Sequence, residues 1–215
     1  MKRIFLISAL FVSLSVSAQY TPFNPDAVTS ATQQASAKDA QTPKAKPAKP
    51  VIMIKEKYAA GSCPEVDGKV VWSKTFSCSP LTAQQVYDKM IAFLQDYCKQ
   101  EGKDPISRIA IVNKEAHEIG ARISEYVTFR EGLLRDRALL NYTLRVNCFD
   151  GKCEVIMNNM SYTYDSKFPA EEMLLDKNAL NKTQTKFNKG GYEKFRTKTI
   201  DTKDALMAQI EAALK

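Results

Sequence analysis

The dipeptide Asp150-Gly151 separates two long runs of strand character, Arg137 to Phe149 and Lys152 to Tyr164. Asp-Gly between such runs is a strong short-range signal for a two-residue hairpin turn. A turn of that length fixes the strand register, so that Phe149 faces Lys152 and every earlier residue faces a defined partner. In this register apolar pairs fall on one face and polar pairs on the other, which is typical of an antiparallel sheet covered on one side only.

The remaining elements follow from hydrophobic periodicity and from helix start and stop signals. Thr82 and Gln85 form a capping box, and Gly102 ends the helix that begins there. The pattern predicts strands over 68–78, 106–113 and 118–130, a short helix or turn over 169–181, an irregular segment over 182–199 and a closing helix over 201–214. Strands that follow one another, with the helices segregated from them, indicate an α+β fold with about five strands in the order β-α-β-β-β-β-α.

The first 18 residues have the pattern of a signal peptide that is cleaved near Ala18. Lys2 and Arg3 precede an apolar stretch of about a dozen residues and a small-residue cleavage site. We therefore expect an exported protein, periplasmic or extracellular, whose mature chain has no transmembrane segment. Residues 19–50 are rich in Pro, Ala, Thr, Gln and Lys and predict a disordered linker. Residues 51–215 then form a single domain.

The formal net charge of +7 exaggerates the basicity of that domain. Two positive charges leave with the signal peptide and two net positive charges lie in the linker, so the domain carries about +3. Such a mild excess does not favour nucleic acid as a partner.

Cysteines occur at positions 63, 78, 98, 148 and 153, and export would place them where disulfides persist. Cys148 and Cys153 face each other at a non-hydrogen-bonded site of the hairpin, where Cα atoms are close enough for a disulfide. We predict this bridge, and we prefer Cys63 with Cys78 as a second. Cys98 then remains a thiol on the apolar side of its helix. A redox role is the alternative for the hairpin pair, although no Cys-x-x-Cys motif supports it.

Four segments together resemble a known bacterial family: GKVVWSKTF, LTAQQVYDKMIAFLQDYC, EIGARISEYVTF and LNYTLRVNCFDGKCEVIMNNMSYTY. They are similar in pattern and order to the exported domain of unknown function numbered 4468, over roughly residues 66–165. The resemblance implies a TATA-binding-protein-like fold, with a curved antiparallel sheet and helices packed on one face. It supplies no catalytic residues, and a fold name by itself does not indicate DNA binding.

Few residues suggest catalysis, and we assign no catalytic, metal or cofactor site. His117 is the only histidine and follows a predicted turn, which limits zinc sites and histidine-dependent nucleophiles. Glu125 interrupts an apolar stripe, so it is either a buried carboxylate suited to glycan hydrolysis or a bulge position turned to solvent. Glu171 and Glu172 are better explained as the first turn of a helix.

The segment 182–198 is a candidate binding region, because it holds six basic residues interleaved with aromatic ones. Such a composition suits sugars or anionic polymers, and the alternative is a surface loop whose aromatics pack on the sheet. The candidate binding residues are Lys186, Phe187, Lys189, Tyr192, Lys194, Phe195 and Arg196. Leu133 and Leu134 at a predicted hairpin tip either contact a partner or fold back over a neighbouring segment.

Two functional hypotheses remain from the sequence. The first is a non-enzymatic binding or protein-interaction module of the bacterial envelope, whose partner is an unknown envelope protein or an anionic glycan. The second is a carboxylate-dependent hydrolase acting on glycan or peptidoglycan.

Overall fold

A computed structural model of the chain describes residues 54–132 and 135–215. The predicted signal peptide and linker, together with Leu133 and Leu134, lie outside the described residues. No helix within the described ranges is long and apolar enough to cross a membrane. The elements are, in chain order, a 3-10 turn (Glu56–Tyr58), β1 (Glu65–Val66), β2 (Lys69–Val70), β3 (Trp72–Ser77), α1 (Ala83–Tyr97), β4 (Arg108–Asn113), β5 (Glu118–Arg130), β6 (Asp136–Phe149), β7 (Lys152–Thr163), β8 (Lys167–Pro169), α2 (Glu171–Leu174), α3 (Asp176–Ala179) and α4 (Tyr192–Leu214).

A six-stranded antiparallel sheet organises the domain, with the path β3-β7-β6-β5-β4 and β8 paired to β7. The hairpin register predicted from Asp150-Gly151 is confirmed, since Phe149 pairs with Lys152 and Cys148 with Cys153. The register shifts between Asn141 and Thr143. The β1–β2 pair forms a separate two-stranded sheet.

One face of the sheet forms the hydrophobic core. Alternate residues of the central strands are buried on this face, as the alternation along β5 shows for Ile119, Ala121 and Ile123. Helices α1 and α4 contact each other and also contact the central strands. The α+β arrangement of helices against an antiparallel sheet is thus confirmed, and the helices leave the opposite sheet face uncovered.

The predicted capping box at the start of α1 is present. The Thr82 hydroxyl accepts from the Gln85 amide, and the Gln85 side chain accepts from the Thr82 amide at 2.9 Å. A second cap comes from the hairpin turn, because an Asp150 carboxylate oxygen accepts from the Ala83 amide at 2.8 Å. The same turn bonds the preceding loop, since the Gly151 carbonyl accepts from the Cys78 amide at 2.9 Å.

Replacing Thr82 with alanine is expected to lower the free energy of unfolding by about 1 kcal/mol, because an N-cap hydroxyl satisfies a helix amide that has no intrahelical partner. Urea denaturation monitored by circular dichroism would measure this loss. The matched control is Gln95→Ala on the exposed surface of the same helix, for which we expect a change within about 0.5 kcal/mol. Equal losses in both variants would contradict a capping role.

Two predicted elements differ from the structure. The strand predicted over 68–78 is divided, because the Val71 amide bonds the Pro64 carbonyl at 3.0 Å between β2 and β3. The closing helix begins at Tyr192 and not at residue 201, so the last eight residues of the segment predicted to be irregular are helical. Its N-cap, Gly191, has a φ of 91°, a left-handed conformation that glycine adopts readily.

Candidate functional site

The seven candidate binding residues of the segment 182–198 do not share one surface. Lys186 and Lys189 are exposed, whereas Phe187 and Tyr192 are half-buried. The backbone is held by its own contacts, including a bridge between Leu180 and Phe187.

Lys194 and Phe195 hold the start of α4 against the sheet. The Phe195 side chain is buried, with its ring centroid 4.6 Å from that of Phe129 and 4.8 Å from that of Tyr162. The Lys194 ammonium donates to Asp136 at 2.9 Å and lies 4.7 Å from the centroid of the Phe129 ring. Phe195 thus packs on the sheet, as the surface-loop alternative expected of the aromatics.

Arg196 is completely buried, and its guanidinium serves the interior of the domain. Its nitrogen atoms donate to the backbone carbonyls of Tyr58 (3.0 Å), Ala59 (2.8 Å) and Leu174. A further donation to the Asp176 carboxylate at 2.7 Å completes an ion pair. Arg196 was predicted as a binding residue, and this was wrong: its donors are occupied by the segments that pack against α4.

Glu125 is buried on the covered face of the sheet, so of the two alternatives the buried carboxylate is the one observed. Its carboxylate pairs with the Lys103 ammonium and accepts from the Tyr142 hydroxyl at 2.6 Å. The Tyr97 hydroxyl lies 3.3 Å from that of Tyr142, and the Lys103 ammonium lies 3.8 Å from the Tyr97 ring centroid. Both charged side chains are less than a tenth exposed.

Local backbone geometry brings Lys103 to this cluster. Gly102 has a φ of 85°, and its carbonyl accepts from the Tyr126 amide at 2.9 Å. This turn pairs Lys103 with Glu125 as an isolated bridge. Burial raises the pKa of Tyr142 and of Tyr97 above the ordinary value, so both stay protonated as donors. The four groups form a buried, mutually satisfied network.

All five cysteines are free thiols in the structure, so neither predicted disulfide is present. Cys148 and Cys153 do face each other in the predicted register. The interaction between the two thiols lowers the pKa of Cys148 and raises the pKa of Cys153. The Cys148 amide donates to the carbonyl of His117, the residue before β5, and therefore points away from β7. Cys148 and Cys153 thus form a non-hydrogen-bonded pair of the hairpin.

The geometry rules out the preferred second bridge between Cys63 and Cys78. The carbonyl of Ser62, next to Cys63, accepts from the Trp72 indole at 2.8 Å. Strand β3 carries the chain from Trp72 toward Cys78, roughly 20 Å further along at the rise of a β-strand. A disulfide requires Cα atoms within about 7 Å, so Cys78 instead lies at the end of the sheet that holds Cys148 and Cys153, where the Phe76–Cys153 pair places it.

His117 lies in the turn between β4 and β5, with its Nε2 3.2 Å from the Gln84 side-chain oxygen. Its φ of 52° is left-handed. Among the described residues, no group of three or more His, Cys, Asp or Glu side chains could hold a metal ion.

The uncovered face of the sheet carries a polar groove, which we call the open-face groove. It consists of two adjoining depressions of about 460 and 580 Å³ that share Arg122, Thr143 and Asn159. The polar side chains that line it are Arg108, Glu118, Arg122, Ser124, Asn141, Thr143, Arg145, Asn147, Asn159, Ser161 and Lys167. Three strands, β4, β5 and β6, supply its arginines.

These arginines cross the sheet as neighbours. Arg108 pairs directly with Arg122 across β4 and β5, and Arg122 pairs with Thr143, two residues before Arg145. Directly opposed Cβ atoms are about 4.5–5.5 Å apart and diagonal neighbours about 7–8 Å. Like charges at such positions destabilise a sheet, so the arrangement has an electrostatic cost that sheet packing does not explain.

Beside these cations, Gly120 of β5 leaves room for a side chain of β4. A Cβ added at Gly120 would approach the Ile111 Cβ to 3.1 Å. Gly120 therefore permits the Ile111 side chain to lie across β5, although Ile111 itself stays 64% exposed.

The sequence placed Arg145 on the polar sheet face but did not identify the groove. The missing information was the pairing of β4 with β5, because only that register brings Arg108 beside Arg122. The signal in the sequence was that Arg122 and Arg145 each lie on the polar face of a predicted strand, opposite its apolar face.

The fold and the groove can now be compared with known proteins. Residues 72–163 match the model of a domain of unknown function, DUF4468, with TBP-like fold. A crystal structure of a DUF4468 family protein from Bacteroides ovatus is 37% identical, with a TM-score of 0.69 over 74% of this chain and 93% of that one. The chain belongs to the DUF4468 family.

A second solved structure extends the fold comparison for this DUF4468 protein. A TBP-like protein from Parabacteroides distasonis is 16% identical and superimposes with a TM-score of 0.57, over 71% of this chain and 96% of that one. At that identity the similarity concerns the fold alone. No curated protein matches the chain.

Proposed function

We propose that this DUF4468 protein is an exported, non-enzymatic binding module of the bacterial envelope that holds its ligand in the open-face groove. The observation that carries the proposal is the asymmetry of the sheet. Helices α1 and α4 cover one face, while the other presents a groove lined by exposed cations and hydrogen-bonding side chains. Opposed arginines destabilise a sheet, so stability alone does not account for their presence here.

The hydrolase alternative has weaker support from the geometry. Glycoside hydrolysis ordinarily uses two carboxylates on either side of the scissile bond. Glu125 is enclosed by Lys103, Tyr97 and Tyr142 on the covered face, and Glu118 is the one carboxylate among the described residues that line the groove. Binding therefore accounts for more of the observed arrangement than hydrolysis does.

Photo-crosslinking in cells tests the binding proposal. A photoreactive amino acid at Thr143, in the middle of the open-face groove, should yield a discrete adduct with a ligand or partner. The matched control is the same amino acid at Ala212, which is exposed on α4. Absence of a Thr143-specific adduct, or equal adducts from both positions, would refute the groove as the binding surface.

Export is the part of the proposal that rests on residues 1–18. Cleavage after Ala18 predicts that the mature protein begins at Gln19 and is recovered outside the cytoplasm. N-terminal sequencing of the protein from fractionated cells would measure this. A mature chain that retains Lys2 and Arg3 in the cytoplasmic fraction would contradict it.

We further predict that Cys148 and Cys153 form a disulfide after export. They are directly paired across β6 and β7 at a non-hydrogen-bonded site, where the two strands are close. The two thiols would lose two electrons and two protons to a disulfide-bearing oxidant, which is reduced to a dithiol. Mass spectrometry of the exported protein should show a loss of two hydrogens and a linked peptide pair.

Cys78 provides the control for this disulfide, because it lies near the hairpin pair. A Cys78→Ser variant should keep the linked pair, and a Cys153→Ser variant should lose it. A peptide joining Cys78 to Cys148 in the wild-type protein would show that the pairing is wrong.

A further inference from the structure

The charges in the open-face groove are unbalanced. Arg108, Arg122, Arg145 and Lys167 face one carboxylate, Glu118, among the described lining residues. Within residues 54–132 and 135–215, no ion pair involves Arg122, Arg145 or Lys167. The Arg108 guanidinium donates to the Ile106 carbonyl at 3.3 Å. The guanidinium groups thus remain available to an anionic ligand.

The spacing of these cations favours separate single charges over one concentrated anion. They are distributed along both depressions, and register places Arg122 and Arg145 as diagonal neighbours about 7–8 Å apart. A planar guanidinium binds a carboxylate through two parallel hydrogen bonds. The groove therefore matches a chain that carries carboxylates at intervals.

The neutral side chains of the groove indicate what lies between those carboxylates. Hydroxyl and amide groups line the floor and walls, namely Ser124, Asn141, Thr143, Asn147, Asn159 and Ser161. Such groups both donate and accept hydrogen bonds, and so suit a hydroxyl-rich ligand. A linear glycan has this chemistry.

Other classes of polyanion fit less well. Single-stranded nucleic acid binds through aromatic side chains on which bases stack, and the one aromatic residue that lines the groove, among the described residues, is Tyr142, whose side chain is buried on the covered face. Protein partners use large aromatic or aliphatic anchors at the centre of an interface. Two exposed isoleucines, Ile111 and Ile106, line separate depressions, and the residues common to both depressions are Arg122, Thr143 and Asn159.

We propose that the open-face groove binds a linear glycan bearing carboxylate groups, such as a chain of uronic acids. This inference rests on the proposed binding function and names the ligand class for the same surface. Each carboxylate pairs with one arginine, and the sugar hydroxyls bond the serine, threonine and asparagine side chains between them.

Calorimetric titration of the mature protein with oligogalacturonate tests this proposal. We expect saturable binding that weakens as salt is added. The variants Arg122→Glu and Arg145→Glu should each weaken binding at least about tenfold, since each replaces a charge-assisted bond by repulsion. The matched control is Lys99→Glu, which makes the same charge change at an exposed residue just after α1, outside the groove, and should bind as the wild type does.

The comparison ligands are a neutral glucan oligomer, poly-glutamate and a single-stranded oligodeoxynucleotide. Tighter binding of any of these, or equal loss of oligogalacturonate binding in Lys99→Glu, would overturn the assignment. Failure of oligogalacturonate to bind the wild type would also overturn it. The binding function itself would still stand if Thr143 gave its specific adduct in cells, so the two failures are distinguishable.

Discussion

Replacing Arg196 with methionine is expected to lower the free energy of unfolding by about 3–5 kcal/mol. Methionine fills much of the same volume but donates no hydrogen bond. The carbonyls of Tyr58, Ala59 and Leu174 would lose their donor, and Asp176 would lose its cation. Buried acceptors left without a partner retain their full desolvation cost. Urea denaturation at neutral pH would measure the change.

Arg196→Lys and Lys189→Ala separate this effect from a general sensitivity of the region. Lysine keeps the charge but cannot reach several acceptors with a fixed fork of donors, so Arg196→Lys should lose most of the same stability. Lys189 is exposed, and its replacement should change stability by less than about 0.5 kcal/mol. A methionine variant as stable as the wild type would show that the guanidinium bonds contribute no net stability.

The second large effect concerns the buried ion pair. Glu125→Leu is expected to cost about 3–5 kcal/mol, because the Lys103 ammonium would stay buried without its carboxylate. Lys103→Met should cost a similar amount for the converse reason. The double variant Lys103→Met/Glu125→Leu should recover most of the loss, since apolar side chains of similar volume can replace a buried pair at little cost. Thermal and urea denaturation of all four proteins would complete the cycle.

The exposed Glu131 supplies the control for this cycle. Its ion pair with Arg135 has a distance of 3.7 Å, and both side chains are more than half exposed. Glu131→Leu should therefore change stability by less than about 1 kcal/mol. Additive losses in the double variant would contradict a coupled pair, because they would show that each residue acts independently.

The parts of the fold that the sequence predicted well depend on local signals. Asp150-Gly151 determines a two-residue turn, and the turn determines the register of β6 with β7. Thr82 and Gln85 are three residues apart, so their reciprocal cap is also a local property. Such features need no knowledge of which distant segments meet.

The features that were missed depend on distant partners. Arg196 and Thr199 are buried beside Phe195 in the first two turns of α4. A pattern of apolar and polar residues predicts that arginine and threonine lie on the surface. The acceptors for the guanidinium come from two other parts of the chain, the segment 58–62 and the residues Leu174 and Asp176. Glu125 is similar, because its partner Lys103 is 22 residues away and reaches it through the Gly102 turn.

The open-face groove could be predicted only in part from the sequence. Alternation predicts which residues of β5 and β6 leave the core face, so the polarity of the open face was available from the sequence. Strand order was not, because β3 pairs with β7 across 75 or more residues of chain, as Ser77 with Lys152 shows. The row of arginines in the open-face groove therefore depends on the strand order and not on any single segment.

Asp150 has two structural roles, and they link the β6–β7 hairpin to α1 when the domain opens locally. Its backbone forms the turn of the β6–β7 hairpin, and its side chain caps α1 at the Ala83 amide. The hairpin cannot fray at that end without releasing the first turn of the helix. Strand pair and helix therefore behave as one cooperative unit, in which amide hydrogens of both exchange with solvent through the same opening event.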